Sequence, residues 1–373
     1  MNKPSSAQKR ESLFYVTKRV TMPFWKSSLI RVAAVIAALA ISSVFIVALT
    51  GKSPFKIYAA MLEGSFGTLR TFWDLLQNMA MLLGIAVAVT PAFRMKFWNI
   101  GAEGQVLMGC LASVICMYYI GSALPSWLLI LIMVAASMAA GAIWAGIPGF
   151  FKAKWNTNET LFTLMMNYVA IQLVSFFIAV WVPSGSGILY PVNTDTECGW
   201  LPKLFGQQYF LNVAIVFILT VGIFIYLRYT KHGYEISVVG ESENTAKYIG
   251  INVKKVIIRT VLLSGALCGV IGFLLVSGKN HMINTSMAGG NGFTAIMVSW
   301  LAKFNPFYMI LTAFLVSFLK IGGSALARDP LLKLSTSLGD IISAIVILFI
   351  IGSEFFIRYK INYRGRKAEH KNV

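Results

Sequence analysis

The sequence predicts an all-α polytopic membrane protein of about ten transmembrane helices, and three observations predict it. Hydrophobic residues make up 57% of the 373 positions and charged residues only 12%, with a mean hydropathy of +0.72, whereas a soluble domain is about 25% charged. Apolar runs of bilayer-crossing length, roughly 20 residues, recur along the chain between polar, Pro-containing or basic breaks. These runs mix Leu, Ile, Ala, Phe and Met without the period-2 alternation of a barrel strand, so they are helices. The composition excludes a soluble enzyme, a disordered chain and a disulfide-framed secreted domain.

Residues 1–31 form a basic segment that precedes the first span, 32–50. That run is full-length and lacks a small-residue cleavage site after it, so a cleavable signal peptide is not expected. Spans two to five follow at 74–91, 102–120, 126–147 and 160–181, and span six at 210–227. A polar loop, 228–256, leads to the remaining four spans at 257–277, 291–304, 306–325 and 338–357. The run at 291–304 is too short to cross unaided. The chain divides into the basic segment 1–31, a transmembrane domain 32–357 and a basic tail 358–373.

Ten crossings return the chain to its starting side. With both termini in the cytoplasm, 24 Lys and Arg fall inside and seven outside, Lys320 being left within a span; this asymmetry sets the orientation. The net charge of +18 is therefore a topology signal, with no nucleic-acid partner implied. Cys110, Cys116 and Cys268 sit in spans as small hydrophobes and Cys198 stands in an outer loop, so they form no disulfide framework.

Catalytic and metal motifs fail on inspection. Gly51, Lys52 and Ser53 end like a phosphate-binding loop, but Ile46 occupies the position of its first Gly and Pro54 blocks the helix. His232, His281 and His370 are far apart and without clustered Cys or carboxylates, so no metal, no cofactor and no nucleophile–base pair is expected. What remains is a conduit. Ionisable residues in spans are few (Asp74, Glu103, Lys320, Asp340 and Glu354), and the embedded polar groups are mainly amides: Gln77, Asn78, Asn99, Gln105, Asn167 and Gln172. A pump driven by protons or sodium usually carries more charge.

The loop 228–256 offers a different energy source. Ser242 suits an N-cap, Glu243 the first turn and Gly250 the position just past the last turn of a helix of about seven residues. Ala246 and Ile249 share one face of it, with Thr245 and Tyr248 on the next. Such a helix can dock into a groove on a cytoplasmic partner.

Two polar, Gly-containing breaks interrupt the spans: Phe97–Gln105, between spans two and three, and Met287–Phe293, between spans seven and eight. Spans two to five and seven to ten then form two four-span units of opposite orientation, each broken after its first helix. Paired breaks in inverted repeats point to a substrate site; Gly-driven close helix packing is the competing reading.

The run Asn99–Gln105, the run Asn158–Thr160 leading to Met166–Tyr168, the loop from Gly233 through Glu241 to Ile251, and the Gly-rich Ala288–Phe293 resemble the permease subunits of ABC importers for simple sugars, nucleosides and branched-chain amino acids, most closely the nucleoside-type branch. The resemblance covers about residues 75–350. It implies a bacterial cytoplasmic-membrane channel made by two permease chains, as a homo- or heterodimer. It also implies a cytoplasmic ABC ATPase docked on the loop after span six and an extracytoplasmic substrate-binding lipoprotein. This chain's Glu241-Ser242-Glu243-Asn244 departs from the family's Gly-, Asn- or Pro-rich pattern. Trp98, Asn99, Glu103, Gln105, Asn167, Asn291 and Phe293 are the expected pathway residues, because aromatic rings and amides suit a nucleoside's flat base and polar edges. Glu103 has two readings, a ribose-hydroxyl ligand or a tie between helices. Ser242, Thr245, Ala246, Tyr248 and Ile249 are the expected ATPase-docking residues. Alternatives are a ribose-like sugar permease and a proton-coupled transporter.

Overall fold

The computed structural model describes residues 14–19, 22–121, 123–182, 185, 187–328 and 335–363. The first thirteen residues of the basic N-terminal segment, Lys333 and the tail from 364, which includes His370, lie outside them. Among the described residues the structure is all-α apart from two small two-stranded ladders, and the backbone groups into one unit within 1–62 and 322–373 and another of 63–321.

The first unit joins the two ends of the chain. Strand β1 (Phe14–Lys18) leads into helix α1 (Phe24–Thr50), which Gly51 closes in the left-handed conformation at φ 65°. A short α2 (Pro54–Phe66) follows, with Pro54 at the first helical position, where its missing N–H costs nothing. The sequence shows no span here, because 13 residues cannot cross a bilayer.

The second unit opens with α3 (Leu69–Arg94), started by a capping box between Thr68 and Thr71. After a break at 95–101 come α4 (Ala102–Ile120), α5 (Ser126–Trp155) and α6 (Glu159–Trp181). The loop beyond α6 contributes β2 (Ile188–Leu189) and ends at α7 (Phe210–Tyr229). The loop after α7 folds as two helices, α8 (Lys231–Glu241) and α9 (Glu243–Tyr248). Helix α10 (Val253–Leu275) continues into a π-helical turn, Val276–Asn280, and then β3 (Ile283–Asn284), which pairs with β2. The 11-residue α11 (Asn291–Leu301) and the long α12 (Pro306–Arg328) follow. Back in the first unit, α13 (Thr336–Arg358) runs into β4 (Tyr359–Tyr363), which pairs antiparallel with β1. Arg31 of α1 pairs with Glu354 of α13.

Among the described residues nine helices are long and apolar enough to cross a membrane. The run expected to be a span at 291–304 is the exception: α11 has 11 residues and spans only about 16 Å at 1.5 Å per residue. Its shortness follows from Gly289 and Gly290, both at positive φ (59° and 72°), which break the chain before Asn291.

The core of the second unit is built on α10, which packs against α3, α4 and α5. Small residues permit the approach. A Cβ on Gly109 of α4 would lie 2.5 Å from the Gly269 carbonyl, and one on Gly141 of α5 would lie 2.2 Å from that of Gly265. This is the small-residue packing by which helices associate in lipid. The second helix of each broken pair packs on the first helix of the other: α4 on α10, and α11 on α3. That reciprocal exchange is what two repeats related by a two-fold axis would give.

Candidate functional site

The two breaks converge. Carboxylate Oε1 of Glu103, in the first turn of α4, accepts from the Gly290 N–H at 2.8 Å, and Oε2 accepts from the Gly292 N–H at 2.7 Å. Glu103 therefore caps α11 from another helix, supplying both the acceptors and the negative charge that a helix N-terminus favours. Gly292 makes the approach possible, since a Cβ there would lie 2.6 Å from the Glu103 backbone nitrogen. This geometry ties α4 to α11.

The start of α4 is finished differently. Asn99 Oδ1 accepts from the Gly101 N–H (3.1 Å) and from Gln105 Nε2 (2.9 Å), while Asn99 Nδ2 donates to Gln105 Oε1 and to Ser264 Oγ of α10. Asn167 of α6 accepts from the Gly104 N–H at 2.9 Å and donates to the Ile100 carbonyl at 3.0 Å. Thr163, one turn earlier on α6, accepts from the Ile100 N–H. These groups satisfy the amides that a helix start leaves orphaned.

The structure thus gathers Asn99, Glu103, Gln105 and Asn167 into one knot, but it turns them inward. All four are buried, and their polar atoms are engaged with one another and with backbone. Their burial corrects the expectation that these amides line a cavity. The groups that face outward are aromatic. Trp98 packs on Trp300 with ring centroids 5.1 Å apart and edge-on to Phe93, which stacks on Phe304 at 5.9 Å. Trp98, Phe293 and Trp300 are exposed, at 40%, 47% and 48%. Phe293 and Trp300 lie seven residues apart, on one face of α11; that spacing was the available signal for Trp300, which the motif reading missed. Asn291 starts α11, and its Oδ1 accepts from Lys320 Nζ of α12 at 3.1 Å.

The loop after α7 matches its expected caps and adds a helix. Ser242 Oγ accepts from the Thr245 N–H, and Gly250 takes φ 84° past α9. The preceding α8 went unread because Gly233, Gly240 and its polar residues resemble loop. Gly240 explains its own presence: a Cβ there would lie 2.1 Å from the Arg94 carbonyl, so the end of α8 rests directly on the end of α3. Beside it a cleft of about 170 Å³ is lined by Met95, Phe97, Lys152, Val239, Glu243 and Ile257, among others. Within α9, Thr245, Tyr248 (90% exposed) and Ile249 are exposed and Ser242 is half-buried, but Ala246 is fully buried. Ala246 is therefore a packing residue, a correction to the docking face that paired it with Ile249. His281, on the loop beyond the π-helical turn, stacks on Trp200 at 3.7 Å, and burial pushes its pKa down to about 4. The described residues contain no cluster of His, Cys, Asp and Glu able to hold a metal.

The chain is similar to curated transport proteins along most of its length. It is 29% identical over 92% of the chain to a glucose ABC transporter permease of Haloferax volcanii, of which the match covers 92%. A guanosine ABC transporter permease of Bacillus subtilis is 29% identical over 91% of the chain and 97% of that protein. A nucleoside ABC transporter permease of Lactococcus lactis is 26% identical over 80% and 84%. The family described as branched-chain amino acid transport system / permease component matches residues 71–351, from the start of α3 into α13. The chain belongs to that family, and it is a multi-pass membrane protein, an ABC permease of the sugar and nucleoside type.

Proposed function

We propose that this chain forms half of the transmembrane pathway of an ATP-driven importer for a nucleoside. The observation that carries the reading is the meeting of two helix starts, α4 and α11, through Glu103, with the exposed rings of Trp98, Phe293 and Trp300 alongside. Broken helices that meet at a repeat interface form substrate sites in transporters. Aromatic faces suit a flat base, which is worth about 1–3 kcal/mol per stacked base in other systems.

Pairing of β1 with β4 sets the two described ends of the chain side by side, which supports an even number of crossings. The described residues hold nine long apolar helices, and on this reading α11 with the segment before it supplies the tenth crossing. The asymmetry of basic residues supports both ends in the cytoplasm. The loop of α8 and α9 then faces the same side and receives a partner ATPase on Thr245, Tyr248 and Ile249. A second permease chain completes the pathway, and a binding protein delivers solute from outside, in a bacterial cytoplasmic membrane. A simple sugar is the second reading, favoured by the similarity to a glucose permease.

Uptake by proteoliposomes holding the permease pair, the ATPase and the binding protein tests both. Labelled nucleoside should enter only with ATP inside the cytoplasm-equivalent compartment. Entry of ribose alone would move the assignment to the sugar reading, and uptake driven by a pH gradient without the ATPase would overturn it.

A further inference from the structure

Helix α10 (Val253–Leu275), which with its π-helical turn is long and apolar enough to cross the membrane, opens on two exposed lysines, Lys254 and Lys255. Beside them lies a pocket of about 480 Å³, lined by Asn252, Lys254, Lys255, Ile258, Arg259 and Leu262. Lys255, Ile258, Arg259 and Leu262 stand at i, i+3, i+4 and i+7, on one stripe of the helix. From Lys254 to Leu262 that stripe runs about 12 Å along the axis, and it changes from charged to apolar on the way. Val256, Ile257 and Val261 of the same turns are buried, whereas Leu262 is 37% exposed. Leu262 lies over Gly146 of α5, where a Cβ would come within 2.8 Å of its Cδ2. Three cations and no carboxylate line the pocket. Arg259 is already offset by Glu235 of α8 at 2.9 Å, while neither Lys254 nor Lys255 makes a side-chain ion pair among the described residues.

We infer that this pocket holds an anionic phospholipid, its phosphate on Lys254 and Lys255 and an acyl chain along Ile258 and Leu262. Basic pockets at the ends of membrane-crossing helices suit such headgroups. A soluble anion has no use for the apolar end, and a neutral lipid none for the lysines. The apolar end belongs to a membrane-crossing helix, where lipid is the solvent. The bound phosphate neutralises two adjacent like charges and steadies the start of α10 beside its tie to α8. The inference takes from the orientation proposed above only the leaflet, the cytoplasmic one, and nothing from the substrate.

The full chain, purified in a neutral detergent, is titrated with phosphatidylglycerol, with phosphatidylcholine of the same acyl chains, or with inorganic phosphate. The readouts are the thermal unfolding midpoint and the lipid retained in native mass spectrometry. Phosphatidylglycerol alone should raise the midpoint and stay bound. Lys254→Gln combined with Lys255→Gln should weaken its apparent affinity roughly tenfold or more, because each lysine near an anionic headgroup contributes to binding. Lys254→Arg combined with Lys255→Arg should keep the affinity, as should Lys231→Gln combined with Lys247→Gln, basic positions of α8 and α9 outside the pocket. Equal stabilisation by phosphatidylcholine or by inorganic phosphate overturns the inference. So does an equal loss in the two glutamine pairs, which diffuse surface charge would produce. In the assembled importer, a benzophenone photoprobe carried on a Leu262→Cys variant should label phospholipid; labelling of a second permease chain or of the ATPase in its place overturns the inference, since a protein then covers the pocket. None of these readouts involves transport, so their failure leaves the nucleoside reading untouched, and a sugar substrate leaves the lipid site untouched.

Discussion

The starts of α4 and α11 solve the same problem by different means. Each must satisfy the backbone amides of its first turn, and an unmade hydrogen bond at a buried amide is expensive. The α4 start is closed by neutral side chains, Asn99 beside it with Thr163 and Asn167 of α6, and braced by Ser264 of α10. The α11 start is closed by a charged group from α4 and bordered by Lys320 of α12. Neutral bonds spread over three helices make a fixed element. One carboxylate carrying two amides makes a joint that a conformational change can break in a single step. On the function proposed above, the difference would make α4 the scaffold and α11 the part that moves.

The largest effect is expected at the joint. Glu103→Gln keeps the shape but loses the charge and one acceptor, and charge-assisted hydrogen bonds contribute about 1.5–3 kcal/mol each. Uptake in proteoliposomes should fall at least tenfold while the chain still inserts and assembles. Full activity would end the idea of a charged joint.

The α4 start should behave in the opposite way. Asn99→Ala or Asn167→Ala removes a cap and strands buried amides, at about 1–3 kcal/mol. The thermal unfolding midpoint should drop, with uptake per folded molecule held within about a factor of two. Uptake lost without destabilisation would return these amides to the pathway.

In the loop after α7 the contrast is between outward and inward residues of α9 and its C-terminal cap. Tyr248→Glu and Ile249→Glu should weaken ATPase binding and uncouple hydrolysis from uptake at unchanged thermal stability. Ala246→Glu should instead lower stability, because it forces a carboxylate into a buried position. Identical behaviour of all three variants would remove the distinction.

The smallest effect concerns His281. Its pKa in the folded chain, about 4, lies below the unfolded value of 6.5, so the unfolded chain binds the extra proton first as pH falls. Its destabilising contribution is absent above pH 6.5 and grows as the pH drops from there toward 4. The thermal midpoint should fall modestly from pH 7 to pH 5, and His281→Phe, which preserves the stack on Trp200, should flatten that slope.

Much of this was legible in the sequence where local chemistry decides. The helix starts at Ala102, Ser126 and Glu159 follow from polar or Pro-containing breaks, and the α9 limits follow from Ser242 and Gly250, whereas α3 starts at Leu69, five residues before the expected 74. Both breaks were visible as Gly-containing polar runs. The orientation of Asn99, Gln105 and Asn167 was not, because an amide that lines a cavity and one that caps a buried helix start are the same letters. Ala246 misled for a related reason: spacing placed it on a face with Ile249, while packing against the rest of the loop decided which way that face turned. The end strands lay hidden in basic segments that read as solvated tails, since their pairing joins residues over 340 positions apart, such as Thr17 and Lys360.

The central claim is that the face of α11 carrying Phe293 and Trp300 borders an aqueous path. All four native cysteines are buried, so single Phe293→Cys and Trp300→Cys variants can be probed in the assembled importer with a charged, water-soluble methanethiosulfonate. Both introduced thiols should react, and faster when the ATPase is cycling or the nucleoside is absent. A Val298→Cys variant, at a buried position of the same helix, should stay inert. Thiols at 293 and 300 that remain as unreactive as one at 298 in every state would contradict the account.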